Sequence, residues 1–210
     1  MSDINFFDKV SIINYGIGTQ HQLADLNATV ARTAREKDYS DISVLYENLL
    51  KLMSDDNKAP AYADTLVQAI KEALLKMRIE LMKDTKLYAE LLKVNEVYIE
   101  KLSDEIRIGQ EHLTTAKKEK DKAYDPLSIP QLARRIDELK TSKQVALSLS
   151  DELRLYEKNS SSLAGKIQTI TKDLLPLWEG SHTINTNKKS TEEALKIVES
   201  MVSEVEKELG

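Results

Sequence analysis

The sequence predicts an all-α protein: an elongated antiparallel helical bundle or coiled coil, with two very long helices and shorter helices packed alongside. Only 6 glycines and 4 prolines occur in 210 residues, so long stretches contain no residue that ends a helix. Apolar residues recur every three to four positions and, in two long segments, every seven, which is typical of packed helices. Hydrophobic residues make up 41% of the chain and charged residues 31%, which favours a folded chain over a disordered one. We expect a single domain over residues 1–210.

Short helices are predicted in residues 1–58. A Gly-x-Gly turn is followed by Thr19 and Gln22 at capping-box spacing, so a first helix is expected from about Thr19 to Glu36. The polar residues 37–40 break this helix. A second, shorter helix is predicted from its apolar positions, which are Ile42, Leu45, Leu49, Leu52 and Met53.

One very long helix is predicted over residues 60–124, because Gly109 is the only breaker after Pro60. Asn95 and Gly109 interrupt its main seven-residue row, and Asp84 interrupts the row beside it. The apolar members of the main row are Leu74, Leu81, Tyr88, Leu102 and Ala116. Apolar residues on three neighbouring rows predict packing against two other helices. At about 1.5 Å per residue the helix would extend on the order of 90 Å.

A hairpin is predicted at residues 125–130, since two closely spaced prolines cannot lie in a helix interior.

A long heptad helix is predicted over residues 131–180. Eleven of the fourteen positions in its two seven-residue rows are apolar or Tyr, which predicts a coiled coil. One row is Leu132, Leu139, Ala146, Leu153, Ser160, Ile167 and Leu174, and the other is Arg135, Ser142, Leu149, Tyr156, Leu163, Ile170 and Leu177.

The end of the heptad helix is marked by Pro176 and Gly180, so we expect the helix to kink or stop between Lys172 and Gly180. Trp178 lies at that end. A last helix, residues 190–209, is predicted after a polar loop, because Ser190 and Glu193 repeat the capping-box spacing.

Composition excludes several functional classes. The chain has no Cys and 3 His, scattered along the chain, so we expect no thiolate chemistry, no metal site and no cofactor. With 30 basic and 35 acidic residues the formal net charge is -5, which argues against nucleic acid as a partner. We also expect no transmembrane segment and no secretory signal, and therefore a cytoplasmic location.

Polar residues in the heptad rows admit two interpretations. A polar group in a helix seam can fix register and partner choice. Alternatively, Arg135, Arg154, Asn159 and Lys166 together form a partly buried anion site. Asn159 and Lys166 are seven residues apart and share a face, whereas Arg154 lies on another face, so neighbouring helices would have to supply further groups. No catalytic residue is predicted, because no acid/base pair or nucleophilic triad can be assembled from the spacing.

Residues 134–180 resemble the toxic-anion-resistance family, often called TelA-like. The matched positions are Arg135, Leu139, Ser142, Val145, Ala146, Leu147, Arg154, Leu155, Asn159, Leu163, Lys166, Ile167, Gln168, Pro176, Leu177 and Trp178. The N-terminal segment INYGIGTQHQL and the stretch from Leu74 to Leu113 are similar to further parts of the family. The chain is thereby identified as a short member of a bacterial family.

The resemblance implies a stress-response protein linked to resistance against tellurite and other toxic oxyanions, without implying a reaction. The first hypothesis is a non-enzymatic coiled-coil adaptor or scaffold with protein partners, among them membrane-associated stress proteins. The second is a direct oxyanion-binding protein that sequesters tellurite-like anions. An enzyme that modifies the anion is disfavoured, since the chain has no Cys and no nucleotide fingerprint. The apolar heptad positions can also be buried between helices of two chains, so a homo-oligomer is a further alternative.

Overall fold

The fold is all-α, as predicted. A computed structural model describes residues 9–37, 39–54, 60–118 and 127–183, together with residues 196, 197, 199, 200 and 203. The helices are α1 (Lys9–Asn14), α2 (Ile17–Glu36), α3 (Ser40–Met53), α4 (Pro60–Lys118), α5 (Ser128–Thr169) and α6 (Leu175–Thr183), with a π-helical turn (Ile170–Leu174) joining α5 to α6. The described residues contain no strand.

The chain divides into two compact units. The first comprises Met1–Arg35 and Ala89–Arg154, and the second comprises Glu36–Tyr88 and Leu155–Gly210. Helices α4 and α5 therefore each contribute residues to both units. The single-domain organisation, the coiled-coil geometry and the individual domain boundaries stay predictions.

The seven-residue rows are buried along both long helices. In α4, every row position from Val67 to Ala116 is buried, Asn95 and Gly109 included. In α5 and the π-helical turn, the row from Leu132 to Leu174 is buried at every position. Burial of such a continuous apolar row is the main source of helix stability, because isolated helices are only marginally stable in water.

Each unit has its own apolar interior. In the second unit, α3 packs against α4, the end of α5 and α6. Large side chains in that interior include Tyr46, Leu49, Leu74, Leu81, Ile167, Leu175 and Trp178. In the first unit, the buried apolar residues include Ile12, Leu23, Val30, Leu102, Ile136, Leu139 and Leu153.

The π-helical turn changes the register of the buried face. Sequence periodicity places Leu177 at the end of the row that begins at Arg135, and therefore predicts that Leu177 is buried. In the structure Leu177 is 55% exposed, and the next residue, Trp178, is 1% exposed. A π-helical turn contains one more residue than an α-helical turn, so the buried face moves by one position. Pro176 has no N–H to offer the Lys172 carbonyl, and the wider turn lies immediately before it. The helix does not stop here, as α6 continues to Thr183.

Two details of the N-terminal prediction are wrong. The helix α1 was not predicted, because its six residues are too few for a clear apolar period. Thr19 does not begin α2 as a cap. It lies inside the helix, which starts at Ile17, and its hydroxyl donates a hydrogen bond to Glu105. The residue that tightens the chain before α2 is Gly16, with φ +68°.

The predicted hairpin lies partly, and the predicted C-terminal helix mostly, outside the described residues. Of the predicted hairpin, residues 125 and 126 are not described, and Ser128–Pro130 already belong to the first turn of α5. Most of the predicted C-terminal helix also lies outside the described residues, of which 196, 197, 199, 200 and 203 are helical. Among described residues, no helix contains a stretch apolar enough to cross a membrane.

Candidate functional site

The turn between α1 and α2 packs directly against the two long helices of the first unit. A Cβ added to Gly16 would lie 2.6 Å from Leu139 Cδ2 and 2.8 Å from Glu105 Oε2. The positive φ of Gly16 is also a conformation that residues with a side chain rarely adopt. Both constraints require glycine here. The turn is thereby positioned to present polar groups of Tyr15, Thr19 and Gln20 to α4 and α5.

Arg135 is the centre of a buried hydrogen-bond network. The residue is 8% exposed, and each guanidinium nitrogen donates to a different acceptor. Nε donates to the Tyr15 carbonyl at 2.6 Å, Nη2 to Gln20 Oε1 at 2.6 Å, and Nη1 to Glu138 Oε2 at 2.9 Å. The burial of this charged group is tolerated because every guanidinium nitrogen is hydrogen-bonded and Glu138 supplies a negative charge.

Ser142, the next polar position of the same row, belongs to the same network. Gln20 Nε2 donates to Ser142 Oγ at 2.6 Å, and Ser142 Oγ donates to the Glu138 carbonyl at 3.1 Å. Gln20 therefore bridges Arg135 and Ser142 from α2. This arrangement supports the interpretation in which polar groups in the row fix which helix lies opposite.

Glu105 on α4 accepts two hydrogen bonds from the segment between α1 and the first turn of α2. Thr19 Oγ1 donates to Glu105 Oε1 at 2.7 Å, and the Tyr15 hydroxyl donates to the Glu105 backbone carbonyl. Burial, with the Glu105 charge nearby, raises the pKa of Tyr15 to about 12. Burial also raises the pKa of Glu105, against the opposing effects of the Thr19 hydrogen bond and the Arg135 charge. The carboxylate is therefore poorly solvated when ionised.

Replacing Glu105 by glutamine is expected to stabilise the protein near neutral pH and not in acid. The folded-state pKa of Glu105 is raised above its unfolded-state value. The protonated carboxyl therefore favours folding at pH values below the unfolded-state pKa, and this contribution to stability is lost as pH rises through the folded-state pKa. The advantage of Glu105→Gln should therefore appear as pH increases above about 4.5. Urea denaturation at several pH values measures the difference in free energy of unfolding between Glu105→Gln and the wild type. An equal difference between variant and wild type at every pH would contradict the assignment.

The remaining members of the predicted anion site lie outside this network. Arg154 is exposed and pairs with Glu96 at 3.8 Å and Asp151 at 3.4 Å. Arg135 and Arg154 are nineteen residues apart in α5, which is roughly 28 Å along the helix. Both belong to the first unit, and they cannot contact one small ion together.

Asn159 and Lys166 lie on α5 in the second unit. Both are partly buried, and their separation of seven residues places them about 10 Å apart on one side of the helix. Within the first unit, the structure therefore brings Arg135 together with Tyr15, in the turn before α2, and with Gln20 of α2, which were not predicted as partners, and not with Arg154. Anion binding by Arg135, Arg154, Asn159 or Lys166 stays a prediction.

Two further polar residues of α4 are also buried and paired. Asp84 is 2% exposed; it accepts from Lys37 Nζ at 2.6 Å and from the Tyr39 hydroxyl. This pairing raises the pKa of Lys37 and fastens the segment between α2 and α3 to α4 within the second unit. In the first unit, Asn95 Nδ2 donates to the Ala146 carbonyl at 2.7 Å and to Ser150 Oγ at 2.8 Å.

Sequence reasoning missed the partners of these groups. An acidic residue in an apolar row signals that a cation or hydroxyl lies opposite, but it does not say which one. Lys37 and Tyr39 were recognised only as part of a helix break. Their chemical role depends on where the break lies in space, which periodicity does not encode.

An open cleft of about 300 Å³ lies beside the Arg135 network. It is lined by Ile12, Ile13, Gln131, Arg134, Arg135 and Glu138. Its charged groups are paired with one another, since Arg134 Nε lies 3.1 Å from Glu138 Oε1 and Arg135 Nη1 lies 2.9 Å from Oε2. Among described residues, no group of three His, Cys, Asp or Glu side chains could hold a metal ion.

Arg135→Ala is expected to lower the free energy of unfolding by about 2 to 3 kcal/mol, because buried acceptors on Tyr15 and Gln20 lose their donor. Arg134 provides a matched control, since it also pairs with Glu138 but its side chain is 84% exposed. Arg134→Ala should change stability by less than about 0.5 kcal/mol. Urea denaturation followed by circular dichroism measures both, and equal losses would contradict the structural role of Arg135.

Comparison with known proteins provides one match. A family model described as "Toxic anion resistance protein (TelA)" matches residues 61–207, which is 147 of the 210 residues. The matched region covers α4 from its second residue, together with α5, the π-helical turn and α6, while Tyr15, Thr19 and Gln20 precede it. No match was found among curated proteins or among solved structures.

Proposed function

Because the chain belongs to the TelA family of toxic anion resistance proteins, we propose that it protects the cell as a non-enzymatic helical adaptor or scaffold in the cytoplasm. In this role the protein does not bind the toxic anion itself. Its packed helices hold a fixed surface to which other proteins of the resistance response bind.

The observation that carries this proposal is that every nitrogen of the Arg135 guanidinium donates a hydrogen bond inside the fold. All three of its nitrogens donate to groups of the protein itself, at 2.6 to 2.9 Å. An oxyanion that took over the hydrogen bonds from Nε and Nη2 would displace the Tyr15 carbonyl and Gln20, leaving buried polar groups without partners. That displacement costs about 1 to 3 kcal/mol for each such group. The geometry therefore favours a structural role for Arg135 over ligand recognition.

A binding titration tests the adaptor role against the alternative of direct oxyanion binding. The full chain is titrated with tellurite, phosphate, sulfate and arsenate by isothermal calorimetry, with fluorescence of Trp178, the single tryptophan, as a second readout. The adaptor role predicts no saturable binding. Saturable, ion-selective binding that Arg135→Ala or Lys166→Ala abolishes in a folded variant would establish the oxyanion-binding alternative instead.

A survival assay tests the same proposal in cells. Tellurite-sensitive bacteria express the protein at graded levels, and the amounts of protein and tellurite inside the cells are both measured. An adaptor should protect when the anion outnumbers the protein, whereas a sequestering protein protects only in proportion to its amount. Turnover of tellurite by the purified protein with a reductant would contradict the non-enzymatic proposal.

A further inference from the structure

Helix α4 carries an exposed apolar stripe in the second unit. Leu75, Ile79 and Met82 are 36%, 53% and 43% exposed. They follow one another at spacings of four and three residues, so they lie on one face of the helix. Leu74 and Leu81, on the inward face of the same helix, are fully buried. Three adjacent large apolar residues form a continuous surface, unlike single exposed side chains, which are common.

Lysines share this face with the apolar stripe. Relative to Ile79, Lys76, Lys83 and Lys86 lie at positions -3, +4 and +7, and all three are exposed. Glu72, at position -7, is also exposed on this face, so three lysines lie there with one carboxylate. Lys83 pairs with Glu80 at 2.6 Å. Lys76 and Lys86 have no ion-pair partner among the described residues. We call the six residues Leu75, Lys76, Ile79, Met82, Lys83 and Lys86 the Ile79 face.

The surroundings of the Ile79 face are basic although the whole chain is acidic. Residues 71–86 contain five basic residues and three acidic ones. One of the acidic residues, Asp84, is buried and paired with Lys37, which leaves Glu72 and Glu80 near the surface. Five positive charges against two negative ones give a local charge of +3, compared with -5 for the whole chain.

We propose that the Ile79 face binds the surface of an anionic lipid bilayer. The three apolar side chains would enter the boundary between headgroups and acyl chains, while the lysines contact lipid phosphates with their flexible ammonium groups. Both the apolar side chains and the lysines are needed, since stable binding to a bilayer surface combines apolar burial with electrostatic attraction.

A bilayer fits this face better than a protein helix does. The apolar residues lie along the outer face of a single helix with lysines beside them, whereas a partner helix is normally held in an apolar groove. The inference is independent of the adaptor proposal, because a protein can bind a membrane surface whether or not it also holds other proteins.

Vesicle sedimentation tests the inference. The full chain is mixed with vesicles made of equal parts phosphatidylcholine and phosphatidylglycerol, and in parallel with vesicles of phosphatidylcholine alone. We expect binding to the anionic vesicles only, and weaker binding as salt concentration rises. Binding to neither vesicle, or equally to both, would overturn the inference and leave the face to an acidic protein partner.

Two double variants identify the surface. Lys76→Glu with Lys86→Glu is expected to weaken binding about tenfold or more, since each lysine near an anionic surface contributes on the order of 1 kcal/mol. Ile79→Ser with Met82→Ser should weaken binding to the anionic vesicles as well. The loss should be present even at low salt, where electrostatic attraction by the lysines is strongest. Circular dichroism confirms that both variants stay folded, as expected for exposed positions.

The matched controls are Lys158→Glu on α5 and Val97→Ser on α4. Lys158 is exposed and Val97 is 47% exposed, so each repeats one kind of substitution outside the Ile79 face. Both should bind like the wild type. If the controls lose as much binding as the double variants, a general charge or hydrophobicity effect explains the result and the inference fails.

Discussion

Replacing Trp178 by alanine is expected to lower the free energy of unfolding by about 3 to 5 kcal/mol. Trp178 is 1% exposed and packs in the interior of the second unit with residues of α3, α4 and the π-helical turn. Truncation removes the largest side chain of this interior and leaves a cavity that its helices cannot fully close. Chemical denaturation followed by circular dichroism is the suitable measurement, because the substitution removes the only tryptophan.

The adjacent residue provides a matched control for this prediction. Leu177→Ala is expected to change stability by less than about 1 kcal/mol, because Leu177 is 55% exposed. Uninterrupted heptad periodicity makes the opposite prediction, with Leu177 buried. A larger loss for Leu177→Ala than for Trp178→Ala would therefore show that the helix does not change register at the π-helical turn.

Replacing Gly109 by proline is expected to destabilise the protein by about 3 kcal/mol or more. Proline at this position in the interior of α4 removes a backbone donor, and its ring clashes with the carbonyl four residues earlier, which belongs to Glu105. That carbonyl also accepts the Tyr15 hydroxyl, so the turn before α2 would be disturbed as well. Thermal denaturation measures the effect, and an unchanged midpoint would contradict a continuous α4.

Alanine at two glycines separates loss of the helix from steric crowding. A Cβ at Gly109 would lie 3.0 Å from Ile136 Cγ1 and 3.2 Å from Tyr15 Cε1, whereas a Cβ at Gly165 would meet nothing within 4 Å. Gly165→Ala should therefore stabilise by about 0.5 to 1 kcal/mol, the ordinary gain of alanine over glycine in a helix. Gly109→Ala should lose that gain. Equal stabilisation would mean that Tyr15 and Ile136 do not pack on Gly109.

Much of the fold follows from periodicity and from the scarcity of helix-breaking residues. The two long helices and their buried rows were predictable because burial repeats every seven residues over many turns. The six-residue α1 and the π-helical turn were not, because a short helix has too few turns to show a period. The register change moved the buried position from Leu177 to Trp178.

The candidate site was predictable only in part. Arg135 and Ser142 were recognisable as polar residues in an apolar row, and the structure gives both of them hydrogen-bond partners. Gln20, which bridges them, has no distinguishing signal in the sequence, since an exposed amide on a helix has the same local pattern. The structure does not bring Arg135 and Arg154 together, because nineteen residues of one helix separate them, and the anion site stays a prediction.

The helical class, the inward faces of the long helices and the positions at which polar groups enter the interior can all be predicted from the order of the residues. These properties depend on local spacing, which a linear pattern records. The groups that pair with the buried charges are known only from the packing of the helices: Tyr15 and Gln20 for Arg135, and Lys37 and Tyr39 for Asp84. These partners are 45 to 120 residues apart in the chain. Their pairing therefore depends on how the helices pack, because a buried charge requires a partner but does not specify where along the chain it lies.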